Sequence, residues 1–268
     1  MSSELSRRSL LLGLPVSGLA GGVLLGSAKE SSSAVPDVFP QQQAGMVREV
    51  VAVSHGNFKR VRELVEARSA LAKAVWDWGF GDWESALGAA SHTGNRDIAL
   101  YLIEQGARPT LFSATMLGQL KVVQAFIDAS PGIQRTAGPH GISLLSHAEL
   151  GGPPARQVFE YLKELGDAVP DEPSLRLDEA QQAVYLGVFA FGAGPNNRLE
   201  VYKSRRGGLM IRRGDGIGRG LSYHGDHTFH PAGAPAVRIR FTLRDQRAIA
   251  VQVDDGPVQV SAERAEAG

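Results

Sequence analysis

Four segments of this chain align on a glycine. They read "VVAVSHGNFKRVRELVEA", "LGAASHTGNRDIALYLIEQGA", "LFSATMLGQLKVVQAFIDASPG" and "LLSHAELGGPPARQVFEYLKELGDA", anchored at Gly56, Gly94, Gly118 and Gly152. After each anchor, apolar residues recur at the three- and four-residue spacing that places them on one face of a helix. These are Phe58, Val61, Leu64 and Val65; Ile98, Leu102 and Ile103; Val122, Phe126 and Ile127; and Val158, Phe159 and Leu162. Before each anchor lies a shorter, small-residue segment carrying Ala52, Ala90, Ala114 or Ala148, and alanine there lets two helices approach closely. The recurrence predicts stacked pairs of helices, because one such pair cannot bury its apolar face alone.

The second copy offers Ser85-Ala86-Leu87, Ala90, Gly94 and a closing Gly106-Ala107. The fourth offers Gly141-Ile142-Ser143-Leu144-Leu145, Ala148, Gly152 and a closing Gly166. On these residues the stretch from about 46 to 168 resembles the ankyrin repeat family, whose usual Thr-Pro-Leu is replaced by Ser85-Ala86-Leu87. Copies one and three are more degenerate, with Glu49 and Leu111 at the Leu position. The anchor spacings of 38, 24 and 34 residues average close to the family's roughly 33-residue period. The resemblance implies a helical solenoid that holds a protein partner on a broad rigid surface. Copies one and two are joined by "ALAKAVWDWGFGDWESAL", which holds all three tryptophans of the chain. Its glycines and aspartates favour turns, so it reads as a long finger, and Trp76, Trp78, Phe80, Asp82 and Trp83 are the candidate partner-binding residues.

From about Tyr185 the period becomes two. "VRIRFTL" puts Val237, Ile239, Phe241 and Leu243 on one face and Arg238, Arg240 and Thr242 on the other, as a half-buried strand requires. Similar strands lie in "YLGVFAF", "RLEVYKS", "GLMIRR", "RAIAVQV" and "VQVSA", separated by Gly, Pro, Asn and Asp turns. The expected fold class is α+β in separate domains: an ankyrin solenoid followed by a small antiparallel β-sheet or barrel-like domain. The opening Tyr185-x-Gly187-x-Phe189 and the Asp226 and Phe229 that follow make this second unit similar to the accessory domain of β-lactamase-like serine hydrolases. No Ser-x-x-Lys, Gly-x-Ser-x-Gly or His-Glu-x-x-His accompanies it, so the expectation is an accessory unit without a catalytic one, not an enzyme.

The stretch "LSYHGDHTFHP" spaces His224, His227 and His230 three apart. On a strand, side chains alternate, so His224 and His227 point to opposite sides while His224 and His230 can share one. It reads as a hairpin between strands. A metal site built from these three histidines is the alternative, and it would make the protein a hydrolase-associated or metal-binding one. No cofactor is otherwise implied.

The N-terminus places Arg7 and Arg8 before an apolar run from Leu10 to Leu25 that glycines and a proline dilute. Ser6-Arg7-Arg8-Ser9-Leu10-Leu11 resembles a twin-arginine export signal, with cleavage expected after Ala28 or Ala34; a membrane-spanning helix wants about 20 strongly apolar residues. The expected organisation is a signal over 1–34, a tether over 35–45, helical repeats over 46–170, a linker over 171–182, a β-domain over 183–263 and a tail over 264–268. The place is the periplasm or envelope of a bacterium, with membrane attachment only through an uncleaved signal. Equal numbers of basic and acidic residues, 28 of each, argue against a nucleic-acid partner. With no cysteine, disulfides, thiolate metal sites and cysteine nucleophiles are excluded. The function expected is therefore a non-catalytic, exported protein-interaction module with an unidentified protein partner.

Overall fold

A computed structural model of the chain describes residues 38–169, 175–205 and 207–265. The expected export signal, the start of the tether, the first four residues of the 171–182 linker and the last residues of the tail lie outside the described residues. The described residues from Pro40 onward group as one compact unit.

The first part of this unit is helical. Helices α1 (Ala44–Val53) and α2 (Phe58–Ala67) are followed by a two-stranded ribbon, β1 (Val75–Asp77) and β2 (Trp83–Ser85). Six helices come next: α3 (Ala86–His92), α4 (Arg96–Glu104), α5 (Leu111–Met116), α6 (Leu120–Ala129), α7 (Leu144–Leu150) and α8 (Arg156–Leu165). Four of the helices, α2, α3, α5 and α7, start where a polar side chain takes up an orphan backbone donor. Asn57 accepts from the Arg60 N–H at 3.1 Å, Ser85 from Gly88 at 2.9 Å and Ser143 from Ser146 at 3.1 Å. Helix α8 stops at Gly166, whose φ of 77° needs no Cβ. The apolar faces are buried, in two clusters. One gathers Val61 and Leu64 of α2 with Leu87 of α3 and Leu102 of α4; the other gathers Val123, Ile127, Leu144, Val158 and Leu162 of α6 to α8. Each fully buried aliphatic side chain contributes about 1.5–3 kcal/mol.

After a short helix α9 (Glu179–Ala183), eight strands follow: β3 (Gly187–Ala190), β4 (Arg198–Lys203), β5 (Leu209–Arg213), β6 (Arg219–Gly225), β7 (Thr228–Pro231), β8 (Arg238–Arg244), β9 (Arg247–Asp255) and β10 (Val258–Arg264). Each pairs antiparallel with the next, and β10 returns to β3 through Glu263 opposite Ala190, so the sheet closes into a barrel without free edges. Two of its hairpins turn on consecutive residues with positive φ, Asp226-His227 and Asp245-Gln246, the backbone that matches the strand twist. Phe189, Ile211, Phe229 and Ile239 fill the interior.

The architecture corrects the expected fold class. The chain is not an ankyrin solenoid followed by a small sheet in a separate domain: short helices and a closed eight-stranded antiparallel barrel form one unit. In a solenoid each copy touches only its neighbours, whereas here α3 packs against both α5 and α7. Gly94 beside α3 explains how. Its φ is +70°, and a Cβ there would run into the carbonyl of Leu150 at the end of α7. Gly94 thus marks a close backbone approach between non-adjacent pairs, while Gly118 abuts the Pro154 carbonyl of the next copy. The helical cores are also split in two rather than continuous. The 3.6-residue period reports a buried helix face, and that face does not specify which elements cover it.

Candidate metal centre

The ribbon between α2 and α3 does not project as a finger; it folds between the helices and the barrel. Trp76 and Trp78 pack against the first helical core, and Phe80 packs against the barrel core. Asp82 is buried and pairs with Arg219 of β6. Of the five candidate partner-binding residues, Trp83 is the one left well exposed, at 63%.

The same ribbon carries Glu84, fully buried beside three histidines that no sequence motif had joined. His55 follows α1, His92 ends α3 and His140 sits in the tight turn Pro139–Gly141. One ligand atom from each of His55, Glu84, His92 and His140 lies within 4.8 Å of all the others. His92 Nε2 is 2.8 Å from Glu84 Oε1 and 3.1 Å from His55 Nε2. His140 Nε2 is 3.4 Å from Glu84 Oε1, and His55 Nε2 is 3.5 Å from Glu84 Oε2. Nitrogen and oxygen ligands about 2.0–2.1 Å from one ion stand roughly 3.3 Å apart in a tetrahedron and about 2.9 Å apart at neighbouring corners of an octahedron. The four separations above bracket that range, and the remaining ligand atoms lie within 4.8 Å of one another.

The outer nitrogens of the imidazoles are held in the way metal ligands require. His140 donates from Nδ1 to Asp82 Oδ2 at 2.6 Å, and its backbone N–H donates to Asp82 Oδ1 at 2.9 Å. His140 has a φ of 61°, a costly conformation for a non-glycine residue, and this double clamp sustains it. His55 donates from Nδ1 to the Ala52 carbonyl at 3.0 Å. Both tautomers leave an Nε2 lone pair facing Glu84. Trp78 donates from Nε1 to Glu84 Oε2 at 2.7 Å, which orients the carboxylate and leaves Oε1 as the ligand atom. Oε1 is buried and accepts no well-directed hydrogen bond among the described residues. Burial pushes the Glu84 carboxyl up, but attraction to His140, His92 and His55 outweighs it and holds the group at about 2. Glu84 is an anion at neutral pH with three imidazoles around it, and a divalent cation bound among them can supply the positive charge that otherwise comes from the rings.

The barrel locks the outer residues. Arg219 reaches Asp82 with Nη2, and the same nitrogen donates to the Ala232 carbonyl at 2.6 Å. Gly233, with φ +80°, lies so close that a Cβ would overlap the Asp82 carboxylate.

The three histidines of the β6–β7 hairpin are placed differently. His224 Nε2 lies 2.7 Å from His230 Nδ1, so these two share a side, while His227 sits in the turn and pairs through Nδ1 with the Tyr185 hydroxyl at 2.8 Å. Burial, helped by Tyr223, raises that hydroxyl to about 12, so it stays protonated. The three do not converge as one ligand set.

The missed residues left one legible trace. Copies one and two share Ser-His before Gly-Asn, at Ser54-His55 and Ser91-His92, and the pairing of α1 with α3 brings those two positions together. Glu84 and His140 come from a ribbon and a turn with no period to read.

No family model matches the chain, and no curated protein matches it. A solved structure titled "Crystal structure of SurE" aligns with 22% identity over 44% of this chain and 27% of its own, at a TM-score of 0.27. That likeness carries no argument about fold or function.

Proposed function

We propose that this chain is a transition-metal-binding protein in which His55, His92, His140 and Glu84 hold one divalent ion. The observation behind the reading is the convergence of three imidazole nitrogens and one buried carboxylate oxygen at ligand-to-ligand spacing. An N3O set without thiolates suits zinc, iron, cobalt, nickel or copper rather than magnesium or calcium. The export signal read in residues 1–34 would put the centre in the periplasm of a bacterium. Competitive zinc titration of the full chain against a chromogenic chelator tests the proposal. One equivalent should bind, and zinc at a hundred times its Kd should raise unfolding stability by about 2.7 kcal/mol. Absence of uptake, or uptake unchanged in His92→Ala, would end it.

A second reading, a non-catalytic exported interaction module with a protein partner, is favoured by Trp83, which is exposed at the ribbon. Pull-down from a periplasmic extract with wild type and Trp83→Ala separates the two, since Trp83 is not a ligand. Equal capture by both would remove this ribbon from the interaction.

A further inference from the structure

All four ligands of the centre come from the helical part: His55 after α1, Glu84 on β2, His92 on α3 and His140 in the 139–141 turn. Among the described residues the barrel adds no donor to this group. It contributes a wall instead. Met210 and Ala232 of the barrel, with Ile217 of the β5–β6 turn, share a cleft of about 370 Å³ with Trp78, and His55 and His140 line it as well. Glu84 and His92 do not belong to this lining and are buried. The edge of the centre that solvent reaches is therefore the His55–His140 edge, and that edge opens on the cleft. Its volume suits a small organic molecule, and its lining is mostly apolar, as such sites are.

Charge narrows the class of occupant. A divalent ion with the Glu84 carboxylate leaves one positive charge. Arg219, which also lines the cleft, is neutralised by Asp82, and no other Asp, Glu, Lys or Arg among the described residues lines it. One more negative charge balances the site. The geometry points to a coordination position open toward the cleft that takes the oxygen head of a small organic monoanion of carboxylate type, with an apolar body lying against Met210, Ile217 and Trp78. This rests on the metal reading above, and it makes the centre a ligand-binding one instead of a closed structural site.

Cobalt-loaded full-length protein tests it, because the visible absorption of the ion reports a change of ligand. The probes are acetohydroxamate and benzohydroxamate, which share a head and differ in apolar body. Both should shift the cobalt spectrum, and benzohydroxamate should bind about tenfold more tightly, the factor for burying roughly 60 Å² more apolar surface. Ile217→Trp, which fills the cleft from an exposed turn, and Ile217→Asp, which adds a like charge, should each abolish that preference while leaving cobalt uptake unchanged. An unchanged spectrum at saturating probe would show a closed centre and overturn the inference while leaving metal binding intact. Equal affinity for both probes, or indifference to both Ile217 variants, would take the cleft out of ligand binding and overturn it too. Failure to take up cobalt would defeat the metal reading itself, and this inference with it.

Discussion

Replacing Asp82 with asparagine removes a charge without removing volume, at the contact between helices and barrel. Asp82 accepts the His140 imidazole at 2.6 Å and the His140 backbone N–H at 2.9 Å, and it neutralises Arg219. Arg219 is only 6% exposed. Without its paired anion it is a buried cation left with the Ala232 carbonyl and the longer-range attraction of Asp77, and breaking such a pair costs up to about 3–5 kcal/mol. The imidazole loses its charged anchor as well, and loss of such an outer partner lowers metal affinity by about 10- to 100-fold. Urea unfolding in chelator isolates the first effect, and zinc titration reads the second. Adding Arg219→Met to Asp82→Asn separates them: most of the stability should return, because no buried charge remains, while the loss of zinc affinity should persist. A stability loss below about 1 kcal/mol in Asp82→Asn, or recovery of zinc affinity in the double variant, would refute the argument.

Other perturbations act on distinct parts of the account. Gly233→Ala forces a Cβ onto the Asp82 carboxylate at a left-handed φ; it should cost about 1–3 kcal/mol in thermal unfolding and weaken zinc binding in parallel. His147 is fully buried beside Phe112, and burial pushes its imidazole down to about 4. The unfolded chain therefore takes up a proton between its ordinary pKa of about 6.5 and 4 while the folded chain does not. Its contribution is complete above about pH 6.5 and falls by about 3 kcal/mol as pH drops to 4, so chelated His147→Leu should show a flatter stability profile than wild type over that window. Phe229→Ala empties a fully buried position in the barrel and should cost about 3–5 kcal/mol by denaturant unfolding. A loss under 1 kcal/mol would mean that the barrel interior is not packed around this ring, the lower limit being about what one deleted methylene costs.

How much of this was legible depended on whether the signal was periodic. Helices carrying Val61, Leu64, Ile98 and Leu102 could be read because one buried face imposes a 3.6-residue period. The strand carrying Ile239 and Phe241 could be read because a filled barrel imposes a period of two. Neither period says what lies across the buried face. The linear stack was lost because Gly94 abuts Leu150, a contact with no local signature. The ribbon's turn residues imply an exposed finger, yet Asp82 and Glu84 within it are buried, because partners 58 and 137 positions away satisfy Asp82. Histidines three apart in "HGDHTFH" drew attention as a local motif. The ligand set that converges is spread from His55 to His140, and only the shared Ser-His of two helix ends hinted at it.

In the proposed reading, four side chains of the helical part hold one metal ion. Elemental analysis of the protein, purified without added metal and without chelator, tests it most directly across three samples: wild type, His92→Ala, and the double variant His224→Ala with His230→Ala. On this reading, wild type and the hairpin variant should each carry one transition-metal ion per chain, and His92→Ala should lose it. Metal-free wild type that takes up none on addition, or metal lost from the hairpin variant and kept by His92→Ala, would contradict it.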